Sequence, residues 1–111
     1  MLIAKLVRAH VDENQVGALD DLLAASAVSF AEEPGTVFWR HFVGESAQDR
    51  VIIEVFADRR ALAEHDASAR VERLLQDLGE LEVTVLTSEE FESPGGSSRS
   101  VQALDGAWRK T

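Results

Sequence analysis

Residues 51–65, VIIEVFADRRALAEH, change from the pattern of a strand to that of a helix within a few positions. The run VIIEVF is apolar and β-branched apart from Glu54, which is typical of a buried strand. Asp58 then has the position of a helix N-cap, and Leu62 and His65 follow on one helix face. The stretch therefore predicts a strand and a short helix, with a carboxylate and an imidazole flanking their junction.

Further strand-like runs lie at residues 2–11, 36–43 and 80–91, and the short spacing between 36–43 and 51–56 predicts a hairpin. A long amphipathic helix is predicted over residues 12–32. The resulting order, β-α-β-β-α-α-β, is the split βαβ or ferredoxin-like order. The sequence therefore predicts an α+β domain in which helices cover one face of a four-stranded antiparallel sheet.

The predicted helices carry their own boundary signals. Asp12 and Gln15 have the spacing of a capping box at the start of the long helix, and Pro34 with Gly35 ends it. Ser68 is placed to cap the last helix, whose apolar stripe is predicted to contain Val71, Leu74, Leu75 and Leu78.

Composition limits the classes of function. The chain has 111 residues, which suits one domain, and 45% of them are hydrophobic, which is enough for a core. It has no cysteine, and 20 acidic residues against 11 basic ones give a formal net charge of -9. Such a charge argues against nucleic acid and against an anionic membrane surface as partners. Without a signal-peptide pattern or an apolar run of spanning length, we expect a cytoplasmic protein.

The tail differs in composition from the rest of the chain. We predict a folded domain over residues 1–91 and a separate linker and tail over residues 92–111, because PGGSSRS has the composition of a flexible linker. Val101, Leu104 and Trp108 share one side of a helical pattern. This side predicts docking on a dimer partner, with docking on the same chain left open.

The two central strands lack the alternation expected of a sheet with one wet face. In residues 36–43, one face of the strand carries Trp39 and His41, and the other carries Thr36 and Phe38. Both faces of residues 51–56 are apolar as well. The helices can cover only one face of the sheet. Because the second face is apolar too, we predict a homodimer in which two sheets pack face to face.

Three short motifs in residues 2–91 carry a resemblance to a known family: Glu33-Pro34-Gly35, Glu54-Val55-Phe56, and the Ala61–His65 sequence ALAEH. In this order and spacing they resemble the antibiotic biosynthesis monooxygenase domain of the dimeric α/β-barrel superfamily. The family includes cofactor-independent oxygenases of aromatic polyketides or quinols, and relatives that degrade haem. Phe56 replaces the usual Trp and the first strand has no Asn, so haem degradation is not expected.

The resemblance implies a monooxygenase without a cofactor, acting on an electron-rich small aromatic molecule such as a polyketide anthrone or a quinol. His65 or Glu54 is the expected acceptor of the substrate proton, because a desolvated carboxylate or an imidazole can act as a general base near neutral pH. Trp39, Phe56 and His41 are the expected substrate-binding residues. No metal site is predicted, because the histidines lack a local metal-binding spacing.

Other interpretations remain open at this stage. Glu54 could form a salt bridge with Arg8, Arg40 or an arginine of a partner, and His65 could be a core residue bonded to a backbone carbonyl or to Glu54. Trp39 and Phe56 could serve in interface packing alone, His41 could lie at the rim near the hairpin end, and His10 has the position of a solvent-exposed residue. If the residues have these structural roles, the protein is a non-enzymatic ligand-binding or regulatory dimer. An isomerase or cyclase of the same superfamily would use the same acid–base residues without oxygen.

Overall fold

A computed structural model describes residues 1–97. Its strands are β1 (Ile3–His10), β2 (Thr36–Val43), β3 (Asp49–Phe56) and β4 (Thr84–Glu92), and its helices are a 3-10 turn (Glu13–Gln15), α1 (Val16–Phe30), α2 (Arg59–Asp66) and α3 (Ala69–Glu80). All strands pair antiparallel in the order β2-β3-β1-β4. This is the predicted ferredoxin-like α+β order. The predicted tail contacts of residues 101–108 lie outside the described residues.

The start of the first helix differs from the prediction. Asp12 makes no side-chain capping hydrogen bond, so the predicted capping box is wrong. The backbone N–H of Gln15 instead donates to the carbonyl of Asp12 at 2.9 Å, which closes the 3-10 turn before α1 begins at Val16. A tight first turn satisfies a backbone donor that a capping side chain would otherwise bind.

The two later helices begin where the sequence predicted. The side chain of Asp58 accepts a hydrogen bond from the backbone of Ala61 at the start of α2, and Ser68 caps α3 in the same way. Leu75 is 60% exposed, so its assignment to the apolar stripe is wrong. The fourth strand begins later than predicted, because α3 continues to residue 80 and Glu82 forms a turn with φ 57°.

The core lies between the helices and one face of the sheet. Its larger cluster joins α1, α3, β2 and β3, and the smaller one joins β1, β3 and α2. Complete burial of a large apolar side chain contributes about 1.5–3 kcal/mol. The buried apolar residues of the two clusters are Val11, Leu19, Leu23, Phe30, Trp39, Ile52 and Leu74, and Ile3, Phe56 and Leu62.

β3 separates two different surfaces. Arg50, Ile52, Glu54 and Phe56 are buried and face the helices, so the alternate residues point to the opposite side of the sheet. The register of neighbouring strands places further apolar side chains there. We call this side the open face; it carries Ala4, Leu6, Phe38, Phe42, Val51, Ile53, Val55 and Phe91. The homodimer stays a prediction.

A bulge corrects the predicted alternation of β2. Thr36 pairs with Phe56 and Phe38 pairs with Val55, so the register shifts between Thr36 and Phe38. The two residues therefore do not share a face. The extra residue at the start of an edge strand turns Thr36 towards the helix side of the sheet.

Candidate active site

The strand-to-helix junction brings Glu54 and His65 together. Glu54 points towards the helices from the middle of β3, and His65 lies in the last turn of α2. Leu62, one turn earlier, packs with Ile3 and Phe56, so this face of α2 is held against the sheet. His65 is consequently 4% exposed and Glu54 is 6% exposed.

The imidazole of His65 has a carboxylate beside each ring nitrogen. Nδ1 lies 2.7 Å from Oε1 of Glu33, and Nε2 lies 3.3 Å from Oε1 of Glu54. We call this arrangement the triad. The sequence left His65 and an arginine open as partners of Glu54. The structure shows His65 in this place, and Glu54 has no arginine partner among residues 1–97.

Glu33 reaches the triad from the turn that follows α1. The hydroxyl of Thr36 donates to Oε1 of Glu33 at 2.9 Å, and this same oxygen faces His65. Sequence reasoning noted Glu33 only as part of a turn motif. The bulge that brings Thr36 to the helix side had no signal in the alternation, so this contact was missed.

The charge of the triad depends on His65. Burial lowers the pKa of His65, but the neighbouring carboxylates of Glu54 and Glu33 more than offset burial, so its pKa lies above the ordinary value. A buried imidazole gains its proton more readily when anions face both nitrogens. His65 is therefore held towards the imidazolium form, in which it can stabilise a developing negative charge.

Aromatic rings surround the triad on the core side. The ring of His65 meets that of Phe30 edge-on at a centroid distance of 4.5 Å, and that of Phe56 at 4.8 Å. Phe30 also contacts Trp39 at 5.0 Å. Phe56 is fully buried in this packing. Phe30 was not among the site residues predicted from the sequence.

A groove of about 510 Å³ lies between α1 and the edge strand β2. Trp39 and His41 both line it, opposite Ala24 and Ala27, as expected from their shared face. Trp39 is also the cross-strand neighbour of Glu54. Its indole Nε1 is buried without a hydrogen-bond partner among the described residues. Trp39 therefore connects the groove with the aromatic rings beside the triad.

A second polar cluster borders the same groove. Asp20 of α1 accepts two hydrogen bonds from the buried Arg50, at 2.7 and 3.0 Å, and its Oδ1 lies 3.1 Å from Nε2 of His41. Hydrogen bonding to Arg50 is the main reason that the pKa of Asp20 lies below its usual value. His10 lies elsewhere, 2.7 Å from Asp49, and is partly exposed.

The triad does not form a metal centre. Because His65 turns one nitrogen towards each carboxylate, the ring stands between them and the three side chains do not converge on one point. No other group of three metal-ligating side chains is present in residues 1–97. No helix of this part of the chain is long and apolar enough to span a bilayer.

Comparisons with known structures support the fold. A protein from Deinococcus radiodurans, provisionally described as an antibiotic biosynthesis monooxygenase, superposes with a TM-score of 0.79 at 20% identity, over 89% of this chain and 98% of that one. Rv0793 from Mycobacterium tuberculosis gives 0.77 at 22% identity, over 88% and 100%. SnoaB from Streptomyces nogalater, a cofactor-independent oxygenase, gives 0.74 at 20% identity, over 86% and 95%.

These likenesses confirm the predicted ferredoxin-like α+β fold of the single chain. The described chain has the ferredoxin-like fold of the antibiotic biosynthesis monooxygenase structures. No family model and no curated protein matches the sequence. The reaction must be argued from the residues of the site, because one fold hosts unrelated functions.

Proposed function

We propose that the protein is a monooxygenase that oxidises an electron-rich aromatic molecule without a cofactor. The observation that carries the proposal is the triad, a buried imidazole with a carboxylate at each nitrogen. Such a site can take a proton from a phenol or an activated methylene group and return it later. The structural likeness to a cofactor-independent oxygenase favours the same chemistry.

The proposed reaction needs only a base, a positive charge and dioxygen. Glu54 takes a proton from the substrate, and the imidazolium of His65 stabilises the negative charge in the site. The substrate carbanion gives its electron pair to dioxygen, and a carbon–oxygen bond forms. The returned proton completes a hydroperoxide, which loses water to leave a carbonyl group. One oxygen atom enters the product and the other leaves as water.

The groove between α1 and β2 is the proposed entry for a planar substrate. It reaches Trp39, whose indole N–H is buried and has no partner among residues 1–97. A substrate oxygen that enters beside this ring would give the donor a partner. His41 contributes to the wall of the groove. Phe56 contacts the imidazole ring of His65 and is fully buried, so it packs against the triad and does not line the groove.

The protein is further proposed to act as a homodimer. The open face carries eight apolar residues from all four strands, and Phe42 and Phe91 are 41% and 51% exposed. A second copy of the same face is the economical cover for such a surface.

Oxygen uptake with a panel of anthrones and quinols tests the proposed reaction. Removal of a general acid–base group commonly slows a reaction by a factor of about 100 or more, so His65→Ala and Glu54→Gln should both slow uptake to this extent. His10→Ala is the matched control, because His10 contacts Asp49 away from the triad. Equal rates in all four proteins, or no uptake with any member of the panel, would contradict the proposal.

One observation favours a non-enzymatic ligand-binding dimer instead. Neither Glu54 nor His65 lines the groove, and their mutual contact largely satisfies both in the core. A thermal-shift screen with planar phenols and quinones separates the two functions. A binder without turnover would keep its ligand-induced stabilisation in the His65→Ala protein.

A further inference from the structure

The two carboxylates of the triad have different surroundings. Oε1 of Glu33 accepts a hydrogen bond from Thr36 and lies 2.7 Å from Nδ1 of His65. Glu54 has no polar partner besides His65 in the part of the chain that the structure describes, and that approach is longer, at 3.3 Å. Charge-assisted hydrogen bonds between nitrogen and a carboxylate are usually about 2.7–2.9 Å long. By length, the contact to Glu33 is the one in the usual range of a charge-assisted hydrogen bond.

Backbone hydrogen bonds hold the turn that carries Glu33. Its N–H donates to the carbonyl of Phe30 at 3.0 Å, and its carbonyl accepts from the N–H of Thr36 at 3.2 Å. The turn also packs closely on α2, since a Cβ added to Gly35 would lie 2.4 Å from Cβ of Ala61. The helix that carries His65 is thus seated directly on the turn that carries Glu33.

We propose that Glu33 is a positioning residue that keeps Nδ1 of His65 protonated, so that Nε2 is the nitrogen that exchanges a proton with Glu54. The inference rests on the proposed function, because the exchange serves catalysis only if Glu54 takes a proton from a substrate. A strong acceptor at one ring nitrogen determines the tautomer and leaves the other nitrogen to accept a proton.

No other charged side chain of the described residues contacts the imidazole. The hydroxyl of Ser68 bonds the backbone carbonyl of His65 and not its ring. Lys5 and Asp66 form a separate ion pair, in which their charged atoms lie 3.6 Å apart. Glu33 and Glu54 are also the anions that raise the pKa of His65, so neutralising either one should lower it.

The test is an NMR titration of the three histidines in the full-length protein, with ring nitrogen shifts to assign the tautomer. Glu33→Gln removes the charge and keeps the shape, and its matched control is Glu32→Gln, which removes an adjacent charge that pairs with Arg70 on the surface. Thr36→Val is a second variant that releases Glu33 without changing any charge.

We expect the titration midpoint of His65 to fall by roughly one pH unit or more in Glu33→Gln, since opposite charges at this range shift a pKa by about 1–3 units. It should fall less in Thr36→Val and stay unchanged in Glu32→Gln. The neutral form of the parent protein should carry its proton on Nδ1. The pH–rate profile of oxygen uptake should shift in the same direction as the midpoint.

An unchanged midpoint in Glu33→Gln, or a neutral form protonated on Nε2, would overturn the assignment of Glu33. Equal shifts in Glu33→Gln and Glu32→Gln would also overturn it, because they would indicate a general charge effect. If the midpoint and tautomer are as expected but no substrate consumes oxygen, the positioning role of Glu33 is supported and the proposed oxygenation fails.

Discussion

Nε2 of His65 lies 3.3 Å from Oε1 of Glu54, so the last turn of α2 is joined to the middle of β3 by two groups that are both almost fully buried. Glu33 adds a second carboxylate from the turn after α1. The imidazole of His65 therefore contacts two carboxylates from separate parts of the fold. The stability of the fold should depend on whether this imidazole is protonated.

Stability should fall as the pH rises through the titration of His65. Its pKa is higher in the folded protein than in the unfolded chain, where it is near 6.5. The stabilisation is fully present below that unfolded value and is lost as the pH rises through the raised folded value. Urea unfolding across this range should show the loss in the parent protein and in His10→Gln. If the free energy of unfolding fell with pH just as steeply in His65→Gln, the assignment of this loss to His65 would be contradicted.

Asp20→Ala should destabilise the protein by about 2 kcal/mol. Arg50 is 4% exposed, and after loss of its carboxylate partner the hydrogen bonds that its buried charge keeps within residues 1–97 are those to the carbonyls of Ala47 and Asp49. Such losses amount to about 3–5 kcal/mol for fully buried pairs, and the partial exposure of Asp20 reduces the effect. Chemical denaturation measures the change. Asp21→Ala, next to it on the exposed side of α1, should change stability little.

Gly35→Ala should destabilise by about 1–3 kcal/mol, because its new methyl group would overlap Ala61 of α2 in a packed contact. Gly17→Ala is the matched control. Nothing lies within 4 Å of a Cβ at Gly17, which is inside α1, so alanine there should stabilise by up to about 1 kcal/mol. Melting temperatures that moved in the same direction in both variants would contradict this view of the turn.

The sequence predicted the order of the elements because strand and helix periods differ, and because Asp58 and Ser68 mark two helix starts. It also placed Glu54 and His65 near one junction. It could not identify Glu33 as a partner of His65, since that contact joins residues 32 positions apart. The bulge that turns Thr36 inward also left no periodic signal. Local patterns predict elements, whereas such contacts depend on how elements pack.

Trp39→Phe should leave stability within about 1 kcal/mol of the parent protein. The indole Nε1 has no partner in the described part of the chain, and an unpaired buried donor costs about 1–3 kcal/mol. Removal of this cost offsets the packing stability that is lost with the smaller ring of phenylalanine. If the indole N–H binds a substrate oxygen, the variant should bind planar phenols more weakly while it melts normally. Calorimetric titration with such phenols, together with a melting curve, distinguishes this result from a general loss of structure.

The last prediction concerns the open face. Ile53 lies near its centre, with Leu6 of β1 and Arg40 of β2 as cross-strand neighbours. If two open faces pack together, Ile53→Glu would place a carboxylate in a desolvated interface, where an unpaired charge is strongly unfavourable. Light scattering at micromolar concentration should therefore give a dimer mass for the parent protein and a monomer mass for this variant. Val28→Glu is the control, since Val28 is 71% exposed on α1, away from the open face; it should remain a dimer. A monomer mass for the parent protein, or a dimer mass for Ile53→Glu, would show that the open face is not the interface.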